Sequence, residues 1–149
     1  MKSLSPRLAS LRRPALQYAA LPYRSEDGGV RVLLVTSRET GRWVLPKGWP
    51  MKRKAPHRAA EREAIEEAGV TGVVEADPVG AYRYTKRLAG GAAAPCRVQV
   101  YPLRVLVERT RWREKAQRLR RWFTPEEAAD LVAEPELADL LRSFNPAST

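Results

Sequence analysis

Residues 62–70 read Arg62-Glu63-Ala64-Ile65-Glu66-Glu67-Ala68-Gly69-Val70, and Gly48 precedes them by thirteen intervening residues. Pro56 suits the first turn of a helix and Gly69 its C-terminal stop, so the spacing predicts a helix of about three to four turns ending on this run. At about 100° per residue, Ala60, Ala64, Ala68, Ile65 and Glu61 share one arc while Glu63, Glu66 and Glu67 gather opposite. Glu63 and Glu67 are an i, i+4 like-charge pair that disfavours a helix by ~0.2–0.5 kcal/mol, and Glu66 and Glu67 stand near a C-terminus whose dipole repels anions. Local stability does not account for them. A hard divalent cation does, because Mg2+ prefers carboxylate oxygens and cancels the repulsion the cluster creates. Arg62, one turn before Glu66, is placed to hold a carboxylate in orientation.

Outward from this helix the pattern is that of strands. Trp43-Val44-Leu45 is a short strand running into Pro46-Lys47-Gly48-Trp49-Pro50, where two prolines around a glycine stop helix and sheet alike and leave a shaped loop. Upstream, Leu16 to Tyr23 and Val30 to Thr36 form a hairpin about the Asp27-Gly28-Gly29 turn. Downstream, Val73 to Leu88 and Arg97 to Val107 are the next strand regions, separated by Ala89-Gly90-Gly91 to Pro95 and expected to form a long hairpin. A basic stretch, Arg109 to Arg121, leads to Thr124-Pro125-Glu126-Glu127, which has a Thr N-cap, Pro at the first helical position and Glu at the capping-box position. Leu137, Leu140, Leu141 and Phe144 fall at i, i+3, i+4, i+7, so a last helix docks one apolar stripe.

With 149 residues, 44% hydrophobic and 30% charged, the chain is sized for one packed domain and excludes a wholly disordered one. The expected organisation is a basic N-terminal arm over 1–14, one domain over 15–145 and a tail over 146–149. Cys96 is the only cysteine, so neither an intramolecular disulfide nor a thiolate zinc cluster forms, which suits a reducing compartment. No apolar run approaches the ~18 residues that span a bilayer. The opening is Arg-rich and acid-free, as transit peptides are, but from Leu16 it alternates like a strand, and a cytoplasmic location is expected. The net charge of +10 points to polyanions without choosing among nucleic acid, a membrane surface and a small phosphorylated ligand.

An isolated E-x-x-E-E would ordinarily be a solvated face. Here Gly48 and residues 62–70 together resemble the Nudix box, G-x5-E-x7-R-E-U-x-E-E-x-G-U with U a bulky aliphatic residue, provided Ala64 is allowed as a small aliphatic. The one departure is Lys54, where the box has its first glutamate; this puts a supporting contact in doubt more than the metal site. Arg42-Trp43-Val44-Leu45-Pro46-Lys47-Gly48 and Arg121-Trp122-Phe123-Thr124-Pro125-Glu126-Glu127-Ala128 are similar to the flanks of the Nudix branch related to diphosphoinositol polyphosphate phosphohydrolases.

The resemblance implies an α/β fold, specifically an α/β/α sandwich with a mixed sheet, and a pyrophosphohydrolase using Mg2+ or Mn2+. It makes Glu63, Glu66 and Glu67 the metal ligands or their immediate partners, with the carbonyl of Gly48 or Lys47 adding an oxygen and Arg62 orienting the glutamates. The general base would be Glu66 or Glu67 of the box, or Glu114 on a later loop. Lys47, Arg53 and Lys54 crowd the loop before the helix and are expected to bind substrate phosphates. Trp49 is placed at the mouth of the site, whereas Trp43 and Trp122 are expected in the core. The expected partner is a small polyanion such as a diphosphoinositol polyphosphate or a dinucleoside polyphosphate, with no membrane and no nucleic acid, bound by a monomer or homodimer. The other readings are hydrolysis of nucleoside triphosphates or ADP-ribose, and a non-catalytic nucleotide- or RNA-binding module.

Overall fold

A computed structural model describes residues 13–146; most of the expected basic arm and the end of the expected tail lie outside them. Eight strands form one sheet: β1 (Ala15–Glu26), β2 (Gly29–Thr36), β3 (Trp43–Val44), β4 (Lys47–Gly48), β5 (Val70–Val74), β6 (Gly80–Arg87), β7 (Ala93–Glu108) and β8 (Arg120–Phe123). β1 is central and pairs parallel with β7, while every other pairing is antiparallel, so the sheet is mixed.

The period-two alternation of β1 divides its side chains between two cores. Ala19, Leu21 and Tyr23 face Leu137 and Leu141, whereas Ala20 faces Ala60, Ala64 and Ala68. The first group belongs to the layer of α2 (Pro125–Leu131) and α3 (Pro135–Ser143), and the second to that of α1 (Pro56–Glu63) and the π-helical turn that continues it over Ala64–Ala68. The sequence thus builds an α/β/α sandwich, as expected. Thr124 caps α2 with the full capping box, its hydroxyl accepting from the Glu127 amide at 3.1 Å.

Asp27 and Gly28 have φ of 50° and 77°, the left-handed pair that a two-residue hairpin between right-twisted strands requires. One expectation is corrected: residues 73–88 are not one strand. β5 and β6 lie end to end along one edge of β7, with the Glu75 amide bonded to Pro102 O (3.0 Å) and the Val79 amide to Val100 O (2.8 Å). The ladder therefore resumes on both sides of 76–78, where Pro78 has no N–H to offer it. The hairpin expected over the later strands is β6–β7.

Candidate active site

α1 lies on the sheet through Ala59 and Ala60, which brings Glu63 over the short strand that ends in Gly48. A Cβ at position 48 would overlap the Glu63 carboxylate, so glycine there leaves that side chain in its place and any other residue would displace it. The next turn is wider than an α-helical one, with the Gly69 amide reaching Ala64 O as well as Ile65 O. π turns are rare and concentrate at functional sites. Here the turn ends on Gly69 in the left-handed conformation (φ 67°).

This geometry separates three glutamates that an ideal helical wheel puts together. Glu67 is buried and accepts from the Lys47 amide at 3.3 Å. Glu63 and Glu67 line a cavity of ≈ 280 Å³ together with Lys47, Gly48, Trp49, Glu114 and Arg118. Glu66 does not line this cavity; Arg62 Nε donates to its Oε2 at 2.6 Å and Arg113 lies 3.8 Å away. An equally large cavity among Val79, Pro102, Leu140 and Phe144 has Glu75 as its only titratable lining group and carries no comparable chemistry.

Glu114 enters the site from the segment between β7 and β8. Its backbone N–H donates to Glu66 O (3.0 Å), fastening that segment to the glutamate-bearing turn. Its carboxylate accepts from Arg118 Nε at 2.7 Å; the same guanidinium lies 3.5 Å from Glu67 and donates to Thr36 O at 2.9 Å. Arg118 is the residue that sequence reasoning missed. It was one cation in a basic run, and only its i, i+4 spacing from Glu114 could have singled it out.

Burial, then the neighbouring Glu67, Glu66 and Glu114 carboxylates, push the Glu63 carboxyl up to about 8. Burial also raises Glu67, against the opposing pull of Arg118 and Lys47. Burial lowers Lys47, whose ammonium lies over the Tyr84 ring at 4.9 Å. Glu63, Glu67 and Glu114 therefore repel one another across the cavity, with Arg118 and Lys47 opposing that repulsion at Glu67.

Of the expected substrate-binding residues, Lys47 and Trp49 line the cavity, with Trp49 46% exposed at its rim. Arg53 and Lys54 are exposed on the turn before α1 and do not line it. Trp43 packs edge-on against Phe123 in the α2/α3 core, and Trp122 is half-buried on the α1 side with its indole N–H on Glu108 at 3.0 Å.

Comparison with known proteins gives the class. The NUDIX domain family matches residues 15–144. Nudix hydrolase 12, mitochondrial, of Arabidopsis thaliana is 34% identical over 140 residues, covering 83% of this chain and 69% of that protein. Diphosphoinositol polyphosphate phosphohydrolase 3-beta of Bos taurus is 32% identical over 116 residues, covering 76% and 66%. The crystal structure of a C. elegans Ap4A hydrolase superposes with a TM-score of 0.62 at 21% identity, covering 87% of this chain and 94% of that one, which speaks to the fold alone. The chain belongs to the Nudix hydrolase family.

Nudix hydrolases generally use divalent metals, and the donor set here suits one. The cavity offers carboxylates and backbone oxygens with no sulfur or imidazole, and the repulsion among Glu63, Glu67 and Glu114 is what a hard dication relieves. Among the described residues no three carboxylates are already gathered round one point. Arg62 and Arg118 hold Glu66 and Glu67 apart instead. Among the described residues no helix is long and apolar enough to cross a membrane.

Proposed function

We propose that this chain hydrolyses a phosphoanhydride in a highly phosphorylated small molecule, such as a diphosphoinositol polyphosphate or a dinucleoside polyphosphate. The observation that carries this reading is one cavity in which Glu63, Glu67 and Glu114 face Lys47 and Arg118. Glu63, Glu66 and Glu67 would hold Mg2+ or Mn2+ beside the backbone at Gly48. Such an ion, when bound, supplies Lewis-acid polarisation of the phosphoryl oxygens and lowers the pKa of water. Lys47 binds a phosphate of the substrate through a charge-assisted hydrogen bond. Glu114, held by Arg118, takes the proton of the attacking water, which a base placed within about 3 Å of it can do. Trp49 offers an exposed ring at the rim for an apolar or aromatic part of the substrate. A cytoplasmic location fits the single reduced cysteine, Cys96, which is buried.

The test is incubation with Mg2+ or Mn2+, with and without EDTA, against a diphosphoinositol polyphosphate, diadenosine hexaphosphate, ADP-ribose and a nucleoside triphosphate, with products resolved by ion exchange. Cleavage of the first two, lost with EDTA, is the expected result. Cleavage of ADP-ribose or the triphosphate in their place overturns the substrate class. Turnover of nothing, with nucleic-acid binding that survives chelation, makes the chain a binding module in which Lys54 marks a lost site.

A further inference from the structure

The cavity that holds the glutamates does not end at Lys47. A second lobe of ≈ 310 Å³ opens beyond it and shares Ser37, Glu39, Val44, Lys47, Tyr84 and Lys86 with the first. Lys47 is the partition, its ammonium stacked on Tyr84 and its stem facing both spaces. The wall of this lobe is formed by the turn end of the β6–β7 hairpin, where β6 supplies Lys86 and Arg87, and by the turn before β3, which supplies Arg42.

Among the described residues, no carboxylate lies within 4.0 Å of the charged nitrogens of Arg42, Lys47, Lys86 or Arg87. Arg118, in the first lobe, is by contrast taken up by Glu67 and Glu114. The second lobe counts those four cations against Glu39 and Glu134, and the inner oxygen of Glu134 is buried without a partner. Charges left unpaired on opposite walls of one concavity are arranged to meet a ligand of opposite sign. An aromatic slot it is not, because the Tyr84 hydroxyl donates to Gln17 at 2.6 Å and Lys47 covers its ring.

We propose that the second lobe is a subsite for further phosphate groups of the substrate, held by Arg42 and Arg87 outside the glutamate-bearing lobe and by Lys86, which lines both lobes. The proposal rests on the hydrolase reading above and narrows it. The preferred substrate carries phosphate beyond the cleaved anhydride, and specificity for it resides in the hairpin and the turn before β3, not in Arg53 and Lys54.

The test compares the Arg42→Ser/Arg87→Ser double variant with wild type and with Arg111→Ser, an exposed arginine outside both lobes. The ratio of kcat/KM for diadenosine hexaphosphate over ADP-ribose is expected to fall at least ten-fold in the double variant and less than two-fold in Arg111→Ser. An unchanged ratio overturns the subsite, as does an equal fall in Arg111→Ser. Calorimetric titration with inorganic tripolyphosphate, without turnover, gives an independent answer. A weakening of ten-fold or more confined to the double variant supports the subsite even if no substrate is cleaved, and equal affinity in all three proteins overturns it even if hydrolysis is robust.

Discussion

Trp112 lies with its ring against Gly69 and donates its indole N–H to the carbonyl of Glu67 at 3.2 Å. Around this contact the segment between β7 and β8 closes off the carbonyls that a helix end leaves open. Glu114 N–H takes Glu66 O, Arg109 N–H takes Gly69 O at 2.8 Å, and Arg120 takes Ala68 O at 2.9 Å while its guanidinium stacks on Trp112. The turn that bears Glu66 and Glu67 is thus held from outside by a basic segment, whose charge alone suggests a substrate surface.

Removing the ring tests this arrangement. Trp112→Ala is expected to cost about half of the roughly 3–5 kcal/mol lost by a fully buried tryptophan, because Trp112 is half-buried. Trp112→Phe keeps the ring and loses the N–H, for about 1 kcal/mol. Urea unfolding of both variants measures the difference; equal losses would remove the ring packing from the account, and a Trp112→Phe variant as stable as wild type would remove the hydrogen bond.

The carboxylates make a separate prediction about activity. Glu67→Gln is nearly isosteric but carries no charge, and it is expected to lower kcat by more than the roughly 10- to 100-fold lost when a group behind a metal ligand is changed. Glu66→Gln is expected to fall in the same direction. Both should keep the wild-type urea midpoint within experimental error. Wild-type turnover by both variants would dissociate the glutamates from the chemistry.

Much of this fold is legible in the sequence because its signals are local. Thr124-Pro125 starts α2, Asp27-Gly28 turns the first hairpin, and Pro56 with Gly69 brackets the glutamate-bearing helix. What escaped the sequence is non-local. Nothing near residues 73–88 reveals that β7 is long enough to carry two strands on one edge. A wheel of uniform step equates Glu66 with Glu63 and Glu67, whereas only the latter two line the cavity and Glu66 pairs with Arg62, as its i, i+4 spacing predicts. The loop before α1 looked like the phosphate-binding element by charge density. Arg53 and Lys54 are exposed and do not line the cavity, and Lys86, more than thirty residues later, does.

Titration of Glu63 gives the metal-free protein an unusual pH dependence. Its carboxyl titrates at about 8 when folded, against an ordinary value of 4.5, so the folded state holds a proton that the unfolded chain has lost. Stability from this group is complete below the unfolded pKa and falls as pH rises through the folded one. In EDTA the melting temperature should therefore decline between about pH 5 and pH 8. Glu63→Gln should flatten that decline, and Mg2+ should oppose it at the alkaline end by taking the place of the proton. Melting curves at half-unit pH steps check the slope; a midpoint that rises across this window contradicts the assignment.

Arg118 lines the cavity and is bonded to Glu114 and paired with Glu67, so it is expected to position them. Its side chain is 9% exposed and its guanidinium spans Glu114, Glu67 and Thr36 O. Arg118→Ala strands two largely buried carboxylates, and breaking such a pair from one side costs about 3–5 kcal/mol. Arg118→Lys keeps the charge yet cannot present a planar fork to three acceptors, so it should restore most of the stability without restoring the aim of Glu114. The expected signature is a kcat depressed at least ten-fold in Arg118→Lys, with KM little changed and the acidic limb of the kcat–pH profile displaced. A lysine variant with the wild-type kcat and pH profile would reduce Arg118 to an internal counter-ion. The geometry argues against that, because a counter-ion needs proximity alone, whereas the 2.7 Å bond from Nε to Glu114 fixes one oxygen of a carboxylate that lines the cavity.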